Sequence, residues 1–161
     1  MQQISIVGDS ISTYEGYNPE GYAVFYNEEM RKVNGLTSVE DTWWTKVNRA
    51  MYAELCINNS YSGSTVTGKE FPAATSEKRL LNLHCGEVYP DVILFYIGFN
   101  DFGRGVPVLG KFPYLDKSLH FFKHAYEKMI SYVSQKYPQA KLVCGTLMCS
   151  KIEGDSQWIF P

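Results

Sequence analysis

The chain opens with the stretch Ile4-Ser5-Ile6-Val7-Gly8-Asp9-Ser10-Ile11-Ser12. Its apolar first half is typical of a buried strand, and Gly8 is followed by Asp9 and Ser10, residue types that favour helix N-caps and turns. A strand that ends in this way places a serine hydroxyl at the carboxyl edge of a sheet, where open α/β folds bind ligands. We expect a helix to begin here, with its free N–H groups beside the Ser10 oxygen. That arrangement suits an acyl-transfer nucleophile, although Gly-Asp-Ser alone also fits an ordinary capped turn.

Two later stretches follow apolar runs in the same way: Asn58-Asn59-Ser60-Tyr61-Ser62-Gly63 and Gly98-Phe99-Asn100-Asp101. Together with Gly8-Asp9-Ser10-Ile11-Ser12, they match three blocks of the SGNH/GDSL family of esterases and lipases in order and spacing. The sequence resembles that family over the whole chain in outline. The family's fourth block, a late Asp-x-x-His, does not occur in these 161 residues.

The resemblance implies three catalytic residues. Ser10 is the expected nucleophile, and its backbone N–H, the Gly63 N–H and the Asn100 side-chain amide are the expected oxyanion hole. The chemistry agrees, because glycine lets a backbone N–H approach closely and a carboxamide donates without adding charge. Asn100 could otherwise be a turn residue.

Three further residues complete the candidate site as substrate-binding positions: Asp9, Tyr14 and Asp101. We expect Asp9 and Asp101 to orient loop backbone rather than to act as acids. Tyr14 is the first ring of an aromatic-rich segment, residues 13–37, which we interpret as irregular. These rings either form a wall of the substrate site or simply cover the core. No metal and no cofactor is expected.

The catalytic base is missing from this set. None of His84, His120 and His124 is expected to serve, and the last two, four residues apart on a helix, lack a recognisable third metal ligand. Asp116-Lys117-Ser118-Leu119-His120 has one residue too many for Asp-x-x-His. We therefore expect the chain to supply a nucleophile and an oxyanion hole without a working base. The resemblance implies a further strand, helix and histidine loop beyond Pro161.

The favoured hypothesis is a serine esterase that cleaves small acyl esters, with acylated sugars as one candidate substrate class. A silent binding module that kept the pocket and lost the base is the alternative. A third hypothesis is nucleotide binding, because residues 63–69 have the spacing of a phosphate-binding loop. However, Glu70 stands where a Ser or Thr should hold magnesium, and Phe71-Pro72 is a poor start for the helix that should follow.

The order of elements predicts an α/β fold, a three-layer doubly wound parallel sheet in one domain over residues 1–161. Strands are expected near 4–7, 55–57, 92–97 and 140–147, and helices at 38–51, 76–85 and 116–137. The resemblance implies a flavodoxin-like strand order. It also implies a fifth strand beside the fourth, so without that strand we expect an uncovered edge at Leu142, Val143 and Leu147 and self-association of the chain.

Composition excludes several classes of protein. A net charge of −2 gives no reason to expect nucleic acid or an anionic membrane as a partner. No apolar run is long enough to span a bilayer, and the N-terminus lacks a signal-peptide pattern, although a removed signal would leave the same sequence. The cysteines lack zinc-site spacing, and Cys56 and Cys144 fall in predicted buried strands. Four reduced cysteines favour a cytoplasmic protein, with a secreted or periplasmic one as the alternative.

Overall fold

A sheet of four parallel strands forms the centre of the computed structural model, which describes residues 1–108 and 119–147. The order of the strands is β2-β1-β3-β4, so β1 and β3 are the inner strands. Their bounds are β1 Gln2–Gly8, β2 Ala53–Asn58, β3 Val92–Tyr96 and β4 Lys141–Cys144. This is the predicted flavodoxin-like order for the four strands.

Helices cover both faces of the sheet. They are α1 Glu28–Asn34, α2 Trp43–Ala50, α3 Glu77–Leu80, α4 Phe99–Gly103 and α5 Phe122–Lys136. No helix among the described residues is both long and apolar enough to cross a membrane.

The hydrophobic core forms two clusters, one on each face of the sheet. Side chains of β1 contribute to both, because successive side chains of a strand point to opposite faces. Ile4 and Ile6 pack with Trp44 of α2 on one face. Val7 packs with Met129 and other residues of α5 on the other face. The predicted three-layer, doubly wound α/β architecture is therefore confirmed.

Residues 13–37 are not irregular throughout, as the sequence analysis expected, because they contain helix α1. The Asn27 side chain caps that helix by accepting from the Met30 N–H, and Gly35 ends it in the left-handed conformation with φ of 68°. No residue of α1 is buried. A helix without a buried face has no apolar periodicity, which is why the pattern of hydrophobic residues did not reveal it.

The helix expected to begin at Ser38 begins later. Ser38 and Asp41 do form a capping box, but it closes a 3₁₀ turn over Val39–Asp41. Thr42 is extended and caps α2, so the helix presents Trp44 and Asn48 to the core. The helix ends at Ala50, one residue before the predicted end, and Met51 is exposed.

The other two predicted helices are shorter than expected. Only Glu77–Leu80 of residues 76–85 is helical, and the buried Leu83 lies beyond it. The last helix begins at Phe122, and part of its predicted start, up to residue 118, lies outside the described residues.

Strand β4 pairs with β3 alone among the described strands. Val143 is 39% exposed, and an apolar groove of about 450 Å³ runs between β4 and α5 past Phe122 and Leu147. Cys144 is exposed and Cys56 half-buried, so the prediction that both are buried was wrong; each lies on an outer strand of the sheet. Both are free thiols, as is Cys85, and Cys149 lies outside the described residues. Self-association through β4 stays a prediction.

Candidate active site

The site begins at the carboxyl ends of β1, β2 and β3, which meet at one edge of the sheet because the strands are parallel. Backbone hydrogen bonds tie the segment after β2 to β1: Asn59 N–H donates to the Ile6 carbonyl over 2.8 Å, and Tyr61 N–H to the Gly8 carbonyl over 3.2 Å. The sequence blocks that end at Ser10, Gly63 and Asp101 therefore lie on three neighbouring strand ends.

Ser10 begins a 3₁₀ turn, Ser10–Ser12, rather than the helix that was expected. So short a turn has no appreciable helix dipole. The Ser10 carbonyl accepts from both the N–H and the hydroxyl of Thr13. A side chain on Gly8 would collide with Ser12 and lie 2.8 Å from the Ser60 hydroxyl, so the tight approach of these segments requires glycine at that position.

Gly63 occupies the third position of a tight turn. The Ser64 N–H donates to the Tyr61 carbonyl over 3.1 Å, and Gly63 has φ of 79°. A positive φ at this position is the signature of a type II turn, which glycine adopts without strain. In such a turn the Gly63 N–H belongs to the central peptide. No described backbone carbonyl accepts from it, so it is available to a ligand.

Asn100 lies in the first turn of α4, directly after β3. Its Nδ2 donates to the Ser64 carbonyl over 2.8 Å. A carboxamide nitrogen carries two hydrogens, so one remains for an oxyanion while the other holds the turn that contains Gly63.

Asp101 is fully buried and fixes the next part of the same loop. Its carboxylate accepts from the backbone N–H groups of Val66 and Thr67, over 2.8 and 3.0 Å, and from the Thr67 hydroxyl. These amides would have to face a phosphate if residues 63–69 bound a nucleotide. A carboxylate already occupies them, so the geometry opposes nucleotide binding.

Asp9 is also fully buried, next to Ser10 in the chain. Burial raises the pKa of its carboxyl to about 6, against the opposing effect of the nearby N–H groups of Gly98, Ile11 and Phe99. The Gly98 N–H donates to Oδ2 over 3.4 Å, and Oδ1 has no hydrogen-bond partner in the described part of the chain. Both carboxylates thus orient backbone in the interior, and their burial does not favour direct contact with a substrate.

Tyr14 lies in the core, 4% exposed, and its hydroxyl accepts from Arg31. It packs in the cluster of Trp44 and Ile4. Of the two interpretations of this ring, the structure favours the one in which it covers the core.

The three histidines lie in different parts of the described structure. His84 stacks on Tyr89, just before β3 begins, at the edge of the sheet opposite Ser10. His124 lies on α5 beside Glu127. His120 is exposed just before α5, next to residues outside the described ranges. The absence of the base from this chain stays a prediction.

Sequence reasoning missed Arg79, whose side chain is fully buried. Its guanidinium donates to the backbone carbonyls of Gly8, Asn59 and Pro72, over 3.0, 2.6 and 2.8 Å. It also donates to the Ser64 hydroxyl and the Asn59 side chain. Burial lowers the pKa of Arg79 to about 10, which leaves it charged at neutral pH. Its partners come from separate segments and are mostly carbonyls, so no motif could have revealed it.

Comparison with known proteins decides the family. A family model of GDSL-like lipases and acylhydrolases matches residues 2–157. The chain belongs to the GDSL-like lipase/acylhydrolase family. No curated protein sequence matches it significantly.

Solved structures support that assignment. A GDSL-like lipase from Bacteroides uniformis is 33% identical, with a TM-score of 0.73 over 89% of this chain and 70% of that one. One from Bacteroides ovatus is 28% identical, with a TM-score of 0.74 over 89% and 72%. A family two carbohydrate esterase from Clostridium thermocellum, solved with cellohexaose, shares the fold at 20% identity and a TM-score of 0.54, over 92% of this chain and 45% of that one.

The buried Asp9 carboxyl predicts a pH dependence of stability. Its folded pKa of about 6 exceeds the ordinary value of 3.8, so its contribution is fully present below about pH 4 and is lost as the pH rises through 6. The loss amounts to about 3 kcal/mol at most. Asp9→Asn removes the titrating carboxyl, so this pH-dependent loss should disappear in the variant. The free energy of unfolding of Asp9→Asn minus that of the parent should therefore rise between pH 4 and pH 7.

Urea denaturation across this pH range measures the difference. Glu20→Gln removes the same charge at an exposed position and is the control. A relative stability of Asp9→Asn that is flat with pH would contradict the assignment of this titration to Asp9.

Proposed function

We propose that this protein is a serine esterase of the GDSL type that hydrolyses small acyl esters, with Ser10 as the nucleophile. The observation that carries the proposal is the arrangement of the Gly63 turn beside the Asn100 amide, on the strand ends that flank Ser10. It leaves a backbone N–H and an amide N–H without other acceptors among the described contacts.

The proposed reaction proceeds through an acyl-serine. The Ser10 oxygen attacks the ester carbonyl carbon while a base takes its proton, and the carbonyl oxygen becomes an oxyanion. The N–H groups of Ser10 and Gly63 and the Asn100 amide donate to that oxyanion. Collapse expels the alcohol with a proton, and water then hydrolyses the acyl-serine to release the acid and restore Ser10. The base is expected outside the residues that the three blocks supply.

The structure offers little in favour of an acylated sugar. Tyr14 is buried. The half-buried rings of Tyr22, Tyr61 and Phe71 pack against one another at centroid distances of 5.2–5.4 Å, with Phe71 edge-on to both tyrosines and the two tyrosines tilted by 57°. One face of Phe71 is also covered by the Lys78 ammonium, 4.5 Å from the ring centroid, so these rings are used by contacts within the protein. The proposal is therefore restricted to small acyl esters.

A fluorophosphonate probe tests the nucleophile in the protein as its gene encodes it. The probe should label Ser10, as located by peptide mass spectrometry, and Ser10→Ala should abolish labelling. Ser62→Ala, a nearby half-buried serine, is the matched control and should label normally. Equal labelling of Ser10→Ala would refute the assignment, and failure of the parent protein to label would favour the silent binding module.

Asn100→Ala tests the oxyanion hole. Loss of one such donor typically lowers kcat by about 10²–10³, with little change in KM because the hydrogen bond strengthens only in the transition state. Steady-state kinetics with p-nitrophenyl acetate measures both constants. Asn34→Ala, which removes an exposed amide that also donates to a backbone carbonyl, is the control. An effect confined to KM would place Asn100 in substrate binding instead.

A further inference from the structure

Arg104 lies at the C-terminal end of α4, four residues after Asn100. Its Nη2 donates to the carbonyl of Gly63 over 2.9 Å, and Asn100 holds the carbonyl of Ser64 over 2.8 Å. Two side chains from one short helix thus hold consecutive carbonyls of the Gly63 turn. This anchor fixes the Arg104 guanidinium next to the proposed oxyanion donor.

Arg104 has no ion-pair partner in the part of the chain that the structure describes. No carboxylate lies at ion-pair distance from it in residues 1–108 and 119–147, whereas Arg31 and Arg49 both have carboxylate partners. Asp101, three residues earlier, already accepts from the backbone of Val66 and Thr67. The Arg104 side chain is also exposed, so its remaining donors are accessible to a solute.

We propose that Arg104 is a specificity-determining residue that binds an anionic group on the substrate, so that the preferred esters carry a carboxylate close to the scissile bond. This inference rests on the proposed esterase function. A guanidinium presents its N–H donors as a planar fork that matches a carboxylate, and one donor is already held by Gly63. The hydrogen bond to Gly63 restrains the long side chain, which reduces the entropy cost of binding an anion.

Hydrolysis of a matched pair of esters tests the proposal in the protein as its gene encodes it. The pair is mono-p-nitrophenyl glutarate, which carries a terminal carboxylate, and p-nitrophenyl pentanoate, which has a methyl group there. The ratio of kcat/KM for the anionic over the neutral ester should fall about tenfold in Arg104→Gln, the size expected for a hydrogen bond to a charged group near solvent. The ratio rather than either rate is diagnostic, because loss of the Gly63 contact lowers both rates together.

Two further measurements serve as controls for this experiment. Lys141→Gln, which removes a positive charge where β4 begins, at the opposite edge of the sheet, should leave the ratio unchanged. Raising the ionic strength should lower the ratio for the parent protein and have little effect on Arg104→Gln. The salt series on the parent protein requires no variant, so a ratio that does not change with ionic strength would overturn the proposal even if Arg104→Gln fails to fold.

Binding measurements distinguish failure of this inference from failure of the proposed esterase function. If neither ester is hydrolysed, calorimetric titration with monomethyl glutarate and with methyl pentanoate replaces kinetics. Tighter binding of the anionic ester that depends on Arg104 would support the inference while the esterase proposal fails. An equal ratio in parent and Arg104→Gln, or no preference for the anionic ester in either assay, would overturn the inference and leave Arg104 as a support for Gly63 alone.

Discussion

The hydrogen bonds of the buried Arg79 guanidinium are the interactions on which the candidate site depends most. This one group joins the end of β1 at Gly8, the segment after β2 at Asn59 and the loop that contains Pro72. Removing a guanidinium from water is costly, and the cost is offset here by oriented carbonyl dipoles rather than by a carboxylate in direct contact. The negative charge of Asp9 nearby adds to that stabilisation. No other type of amino-acid side chain has as many hydrogen-bond donors in one rigid plane as arginine.

The segment that follows β3 joins the same network of hydrogen bonds. Asp101 and Asn100 on α4 hold the loop after β2, and the Gly98 N–H reaches the carboxylate of Asp9 after β1. Each of the three segments is therefore held by the other two. Since β1 lies between β2 and β3 in the sheet, Ser10 occupies the centre of this arrangement. These contacts are buried or part-buried, so the backbone on either side of Ser10 is held by the fold itself.

The sequence predicted those features that depend on local pattern. The apolar runs of β1 and β3 and the position of Gly8-Asp9-Ser10 after a strand were enough for the sheet and for the three blocks. Helix α1 escaped prediction because none of its residues is buried. Arg79 and Arg104 act on backbone carbonyls that are distant in sequence, and a single sequence contains no record of such contacts. Tyr14 was predicted to bind substrate but is buried in the core. A tyrosine near a candidate nucleophile has the same sequence pattern whether it contacts the substrate or the core.

The most direct test of this account is the effect of Arg79→Lys on the free energy of unfolding and on amide hydrogen exchange in residues 59–64. Lysine keeps the charge but cannot reach three separated carbonyls from one nitrogen. We predict a loss of at least about 3 kcal/mol, because buried acceptors are left unpaired, together with faster exchange in residues 59–64. Arg49→Lys, at an exposed ion pair with Glu40, should change neither. A loss below about 1 kcal/mol with exchange in residues 59–64 unchanged would contradict the central role given to Arg79.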